Sequence, residues 1–176
     1  MSEAIGREIT GSLARFAAHA RFEALPEAVR REAARAFLNH TGCVFGGCRE
    51  PAVAAAVAVA GLTGGEGRAT LIGQGAKSDV VNAAFVNCLA SAALAYDDTH
   101  LATVTHPTGP VASALFAWAE QERVSGEDFL CALAIGVEIQ CRLSNVVLLP
   151  PAKPNLALYI TGITGPVGVA AAMARL

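Results

Sequence analysis

Apolar residues recur at helical spacing along almost the whole chain, and the pattern predicts a succession of helices with few breaks. The first runs from about Glu3 to Ala20. A second is expected from Pro26 to Gly47, because Pro26 suits a first helical turn, Glu27 lies where the helix dipole favours a carboxylate, and Gly46–Gly47 end the pattern. Its buried stripe is expected at Val29, Ala33, Phe37 and Leu38. The run "AVAAAVAVAG" predicts a third helix, closed by Gly61. Residues 62–78, rich in Gly and polar side chains, read as a connecting loop with Ala69–Ile72 as the only extended candidate. Helices resume at about Asp79–Ala95, Pro110–Gln121 and Gly126–Arg142. Residues 149–158 hold three prolines in five positions and form a break that regular helix cannot cross. A last helix is expected to start near Pro166 and to run into Leu176. It meets neither a glycine cap nor a polar tail, which reads as a fragment or a truncated gene product. The expected fold class is therefore all-α, a multi-helix bundle forming a single helical domain over residues 1–176.

Composition narrows the function. Net charge is −2, and the chain has only two lysines, Lys77 and Lys153, so it offers no electrostatic footprint for nucleic acid. The mean hydropathy is positive, yet the most apolar stretches, Pro51–Leu62, Val80–Tyr96 and Phe129–Ile139, fall short of the about 20 apolar residues that span a bilayer. They read as buried helices, and no membrane partner is expected. The N-terminus carries acidic residues and no apolar core, unlike a secretory signal, so a cytoplasmic location is expected. Five scattered cysteines without a C-x-x-C pair read as free thiols.

Against this background the stretch "YDDTHLATVTHPTGPV" (Tyr96–Val111) concentrates carboxylates, imidazoles and hydroxyls. An echo adds to it: "PTGPVASAL" (Pro107–Leu115) and "ITGPVGVAA" (Ile163–Ala171) both set Thr-Gly-Pro-Val ahead of an Ala-rich run, a standard helix start. Each start would offer free backbone N–H groups as a seat for an anion, and glycine lets a ligand approach the backbone closely. Thr105 and His106 precede the first start; Tyr159, Thr161 and Gly162 precede the second. Asp97 and Asp98 lie close enough in sequence to orient His100 or His106. If the starts converge, the site suits a substrate with two or three carboxylates and chemistry on a neighbouring proton. Two other readings stay open: a capped, solvent-facing turn, and a metal site through Asp97, Asp98, His100 and His106. His19 and His40 read as surface or packing residues.

The segment "NAAFVNCLASAALAYDDTHLATVTHPTGPVASALFAWAE" resembles the signature region of the MmgE/PrpD family, which includes 2-methylcitrate dehydratase, cis-aconitate decarboxylase and iminodisuccinate epimerase. "LPEAVRREAARAFLNHTGCVFGG" resembles the family's helical opening, and "GVEIQCRLSN" its following helix. The resemblance implies an enzyme for small di- or tricarboxylates that needs no metal and no cofactor. It also implies a largely all-α main domain, a homodimer, and a second α+β domain that supplies catalytic lysines, for which neither Lys77 nor Lys153 is a substitute. The present chain matches only the N-terminal part. Carried over by motif, Thr99 and His106 fall at active-site positions, with Asp97 and Asp98 in the same loop.

Two departures stand out. The family often reads D-F-D-D-T where this chain has "AYDDT", so Ala95 replaces the first aspartate. Its G-W-H-P-T-G appears as "ALYITG", so Tyr159, with an ordinary phenol pKa of about 10, stands where a histidine is expected. The leading expectation is a lyase resembling 2-methylcitrate dehydratase, with His106, Tyr159, Asp97 and Asp98 as catalytic candidates. Thr99, His100, Thr105, Thr161 and Gly162 are the substrate-binding candidates. The alternatives are an epimerase of a small dicarboxylate, and a non-catalytic helical fragment that pairs with a chain carrying the missing domain.

Overall fold

The computed structural model describes residues 2–65, 67–150, 152 and 159–176. These form seven helices and one short hairpin: α1 (Ser2–His19), α2 (Glu27–Gly47), α3 (Pro51–Thr63), β1 (Ala69–Leu71), β2 (Ala76–Ser78), α4 (Val80–Ala92), α5 (Thr108–Ala119), α6 (Gly126–Leu148) and α7 (Ile160–Arg175). The all-α expectation holds. Lys153 and most of the Pro-rich break lie outside the described residues.

The core is layered along the chain. One cluster joins α2, α3, the hairpin and α4 through Val44, Val53, Leu71 and Val86. A second joins α5, α6 and α7 through Val111, Leu115, Leu133 and Ala172. A third seats α1 on α6 through Ala17, Cys131, Ile135 and Ile139. Helix α6 thus touches both of the last two clusters, and it runs without interruption past Arg142 to Leu148. At that length it is the one described helix long and apolar enough to cross a membrane, contrary to the sequence expectation.

The buried stripe of α2 differs from the expected one. Ala33, His40, Cys43, Val44 and Gly47 face inward, while Leu38 is 73% exposed and Val29 is exposed too. Small residues win the inward face because α4 approaches closely: a Cβ on Gly47 would collide with the Ala90 carbonyl oxygen. Helix α3 continues through Gly61 and ends at Gly64, whose N–H donates to the Ala60 carbonyl at 2.8 Å. Gly61 costs helix stability without stopping the helix.

The loop expected between α3 and α4 holds a second strand. Positive φ at Gly73 (77°) and Gly75 (66°) turns the chain, and Leu71 pairs with Ala76 and Ala69 with Ser78. The strand β2 escapes a pattern reading because "AKS" has neither β-branched bulk nor alternation. Asn87 of α4, fully buried, clamps the hairpin: Ile72 N donates to its Oδ1 at 3.0 Å, and its Nδ2 donates to the Thr70 carbonyl at 2.9 Å. Glu120 accepts from the Thr70 N–H and, at 2.6 Å, from its hydroxyl.

Helix α7 lies against α6 at a crossing that only small residues permit. A Cβ on Gly168 would sit 2.7 Å from the Gly136 carbonyl oxygen, and one on Gly136 would sit 2.8 Å from the Gly168 carbonyl oxygen. The helix begins at Ile160, after an extended Tyr159 (φ −73°, ψ 99°), so Pro166 lies inside it. The second Thr-Gly-Pro-Val is therefore not a helix start. Thr164 is buried, donating to the Ile160 carbonyl at 2.9 Å and meeting Ser144 Oγ at 3.1 Å, and these tertiary contacts extend the helix past the local start signal.

Candidate active site

The segment between α4 and α5 departs from ordinary backbone twice, at Ala95 (φ 55°) and at Val104 (φ 52°). For a β-branched residue such as Val104 this is a strained conformation. It closes a tight turn: His100 N donates to the Thr105 carbonyl at 2.8 Å, and Thr103 N to the His100 carbonyl at 3.1 Å. The side chains finish it, with His100 Nδ1 2.8 Å from Thr103 Oγ1 and Thr103 Oγ1 2.8 Å from Thr105 Oγ1. His100 and Thr105, expected to bind substrate, are thus committed to the turn, and neither lines the cleft described below.

The two neighbouring aspartates divide the work. Asp98 caps α5, accepting from Thr108 N at 3.2 Å and from Thr108 Oγ1 at 2.6 Å. Burial pushes its carboxyl above the ordinary carboxylate range, the Thr108 hydrogen bonds pull it back, Asp97 raises it slightly and His106 opposes. Both carboxylate oxygens of Asp98 are thus engaged at the start of α5. It also answers the anion-seat expectation at this helix start: the protein's own carboxylate sits there. Asp97 turns the other way. Its side chain is nearly buried at 7% exposure, and its Oδ2 lies 3.5 Å from His106 Nδ1.

His106 is held from several directions. Nδ1 also lies 3.1 Å from the Asp98 carbonyl oxygen and 3.3 Å from Thr99 Oγ1, while the backbone N–H donates to Thr161 Oγ1 at 3.0 Å, across 55 residues of sequence. Facing acceptors on that side, a neutral imidazole carries its proton on Nδ1 and keeps a lone pair on Nε2. Thr99 itself is exposed and reaches the ring from outside.

These groups border a cleft of about 490 Å³. Asp97 and His106 form one side, Gly109 and Pro110 bring in the start of α5, and Thr161, Gly162, Gly165 and Pro166 make a wall of α7. Tyr159, 64% exposed, also borders it, with its ring beside Gly162. The sequence reading missed Cys88 and Ser91, which also border the cleft from the last turns of α4. Their only signal is a three-residue spacing just before the polar stretch. Burial, with help from Asp97, pushes the Cys88 thiol up to about 11, which suits an inert lining group.

Among the described residues no three His, Cys, Asp or Glu side chains gather as a ligand set would; Asp98 is spent on Thr108 and His100 on Thr103. Lys77 does not line the cleft; it donates to the Arg68 carbonyl and pairs with Glu120.

No curated protein matches the chain. The family model for the MmgE/PrpD N-terminal domain matches residues 11–176. With an all-α bundle, a histidine–aspartate pair on a cleft and this match over nearly its whole length, the chain belongs to the MmgE/PrpD family and represents its N-terminal domain.

Proposed function

We propose that the chain provides the acid/base wall of an MmgE/PrpD-type lyase for a small di- or tricarboxylate, resembling 2-methylcitrate dehydratase. Members of the family are generally lyases or isomerases. The observation that carries the reading is the Asp97–His106 pair on the cleft, with Nδ1 held and Nε2 left to act. His106 Nε2 removes the proton alpha to a substrate carboxylate, and Asp97 stabilises the imidazolium that forms. The electron pair left on carbon becomes the new C=C bond as the β-hydroxyl leaves, protonated to water by the Tyr159 phenol or by solvent. The first turn of α7, beside Thr161, receives a substrate carboxylate.

A second reading rests on Tyr159. A second acid bordering the same cleft as His106 suits epimerisation, in which the carbon loses its proton to one group and regains one from the other. The two diverge in deuterated water. With 2-methylcitrate or a related acid, the lyase reading expects an alkene product seen by NMR, absent in His106→Gln. Deuterium at the alpha carbon without alkene or CO₂ would overturn it in favour of the isomerase. We place the enzyme in the cytoplasm, free of metal and cofactor, as a homodimer or joined to a chain that carries the family's second domain. Robust turnover by this chain alone would refute its being a non-catalytic fragment, whereas turnover only after adding such a chain would establish the association.

A further inference from the structure

Helix α7 lines the cleft with a regular stripe: Thr161, Gly162, Gly165, Pro166 and Val169. In an unbroken helix the Gly162 carbonyl would accept from the N–H of residue 166, and that bond would run along this stripe. Residue 166 is proline, inside the helix and without an N–H. Gly162 and Pro166 are both exposed on the cleft side, and Gly162 has no side chain to cover its own backbone. The missing bond therefore lies on the cleft wall, one residue from Thr161, whose hydroxyl receives the His106 N–H at 3.0 Å. A carbonyl deprived of its helical partner is a strong acceptor open to another donor, and among the described residues no side chain or loop N–H donates to it.

We propose that the Gly162 carbonyl is a subsite for a hydrogen-bond donor on the substrate, a hydroxyl or amino substituent on the carbon chain of the acid. The inference rests on the cleft being the carboxylate site proposed above, and it adds what the His106 wall does not specify. A hydroxy- or amino-diacid is held in register against the base, while the same diacid without the substituent leaves the carbonyl facing a void or a trapped water. Glycine at 162 and proline at 166 act together, the first baring the carbonyl and the second removing its competitor.

The test is calorimetric titration of the chain with malate, succinate and 2-methoxysuccinate, which keeps the oxygen of malate but cannot donate from it. One neutral hydrogen bond separates such ligands by roughly 3- to 10-fold. Malate is expected to bind more tightly than both others by that factor. In Pro166→Ala and Pro166→Gly, each of which restores the N–H, the malate-to-succinate ratio is expected to fall to near one, with helical circular dichroism retained. A ratio that persists in both folded variants, or 2-methoxysuccinate binding as well as malate, would overturn the subsite. Equal binding of all three acids would overturn it while leaving the carboxylate cleft standing. Binding of none would overturn the cleft reading and this inference together.

Discussion

Asp97 Oδ2 lies 3.5 Å from His106 Nδ1, and the carboxylate is nearly buried while the imidazole is open to the cleft. In the mechanism proposed above, this pairing stabilises positive charge on the ring as it takes a proton. Asp97→Asn keeps the shape but removes that charge, so the turnover proposed above is expected to fall by roughly 10²- to 10⁴-fold. The melting temperature should move by only a few degrees. Initial rates showing an unchanged kcat would sink the dyad.

The adjacent carboxylate answers to a different measurement. Asp98 holds the first turn of α5 through two hydrogen bonds from Thr108, so Asp98→Ala should cost about 1–2 kcal/mol in urea unfolding. Asp98→Asn is expected to cost less, because the amide oxygen still accepts from Thr108 N, its NH₂ can meet the hydroxyl, and no charge is buried.

Two glycine replacements should move stability in opposite directions. Gly168→Ala drives a methyl to 2.7 Å from the Gly136 carbonyl oxygen at the α6–α7 crossing, and a loss of about 1–3 kcal/mol is expected. Gly61→Ala adds a methyl in open space within α3 and should gain about 0.5–1 kcal/mol. Chemical denaturation of both proteins checks the pair; a stable Gly168→Ala protein would mean the helices can separate without penalty.

His40 sets a pH dependence. Buried at 2% exposure, with Nε2 3.4 Å from Ser113 Oγ, it is pushed down to about 4 by burial. The unfolded chain takes up a proton near the ordinary value of about 6.5 while the folded chain does not. Stability is thus complete above that pH and declines as pH falls toward 4, by about 3 kcal/mol. In His40→Leu the fall in unfolding midpoint between pH 7 and 4 should be much shallower; an unaltered slope would assign the acid sensitivity to other groups.

The helices were legible because a 3.6-residue apolar repeat survives any tertiary context. Which residues start and face where was less so. The Thr-Gly-Pro-Val echo carries one local signal twice, yet only Thr108 begins a helix, since Thr164 is drawn against Ser144 and Gly168 against Gly136. Likewise the resemblance marks Asp97, Asp98 and His106 together, but identical side chains one residue apart cannot announce which one caps and which one faces the imidazole. The left-handed turn at Ala95 precedes both and sets the path on which that choice is made. Nothing local in the sequence predicts left-handed backbone at an alanine or a valine.

The Asn87 and Glu120 contacts have a bearing on solubility. The outward N–H and carbonyl of Thr70 and the N–H of Ile72 are occupied by side chains from two helices, so that flank of β1 offers no rungs to an incoming chain. From β2, Lys77 reaches back across the hairpin, donating to the Arg68 carbonyl at 3.0 Å and lying 3.7 Å from Glu120 Oε1. The hairpin is therefore sealed along β1 and pinned across its face by Lys77, so any intermolecular sheet growth would have to add at β2.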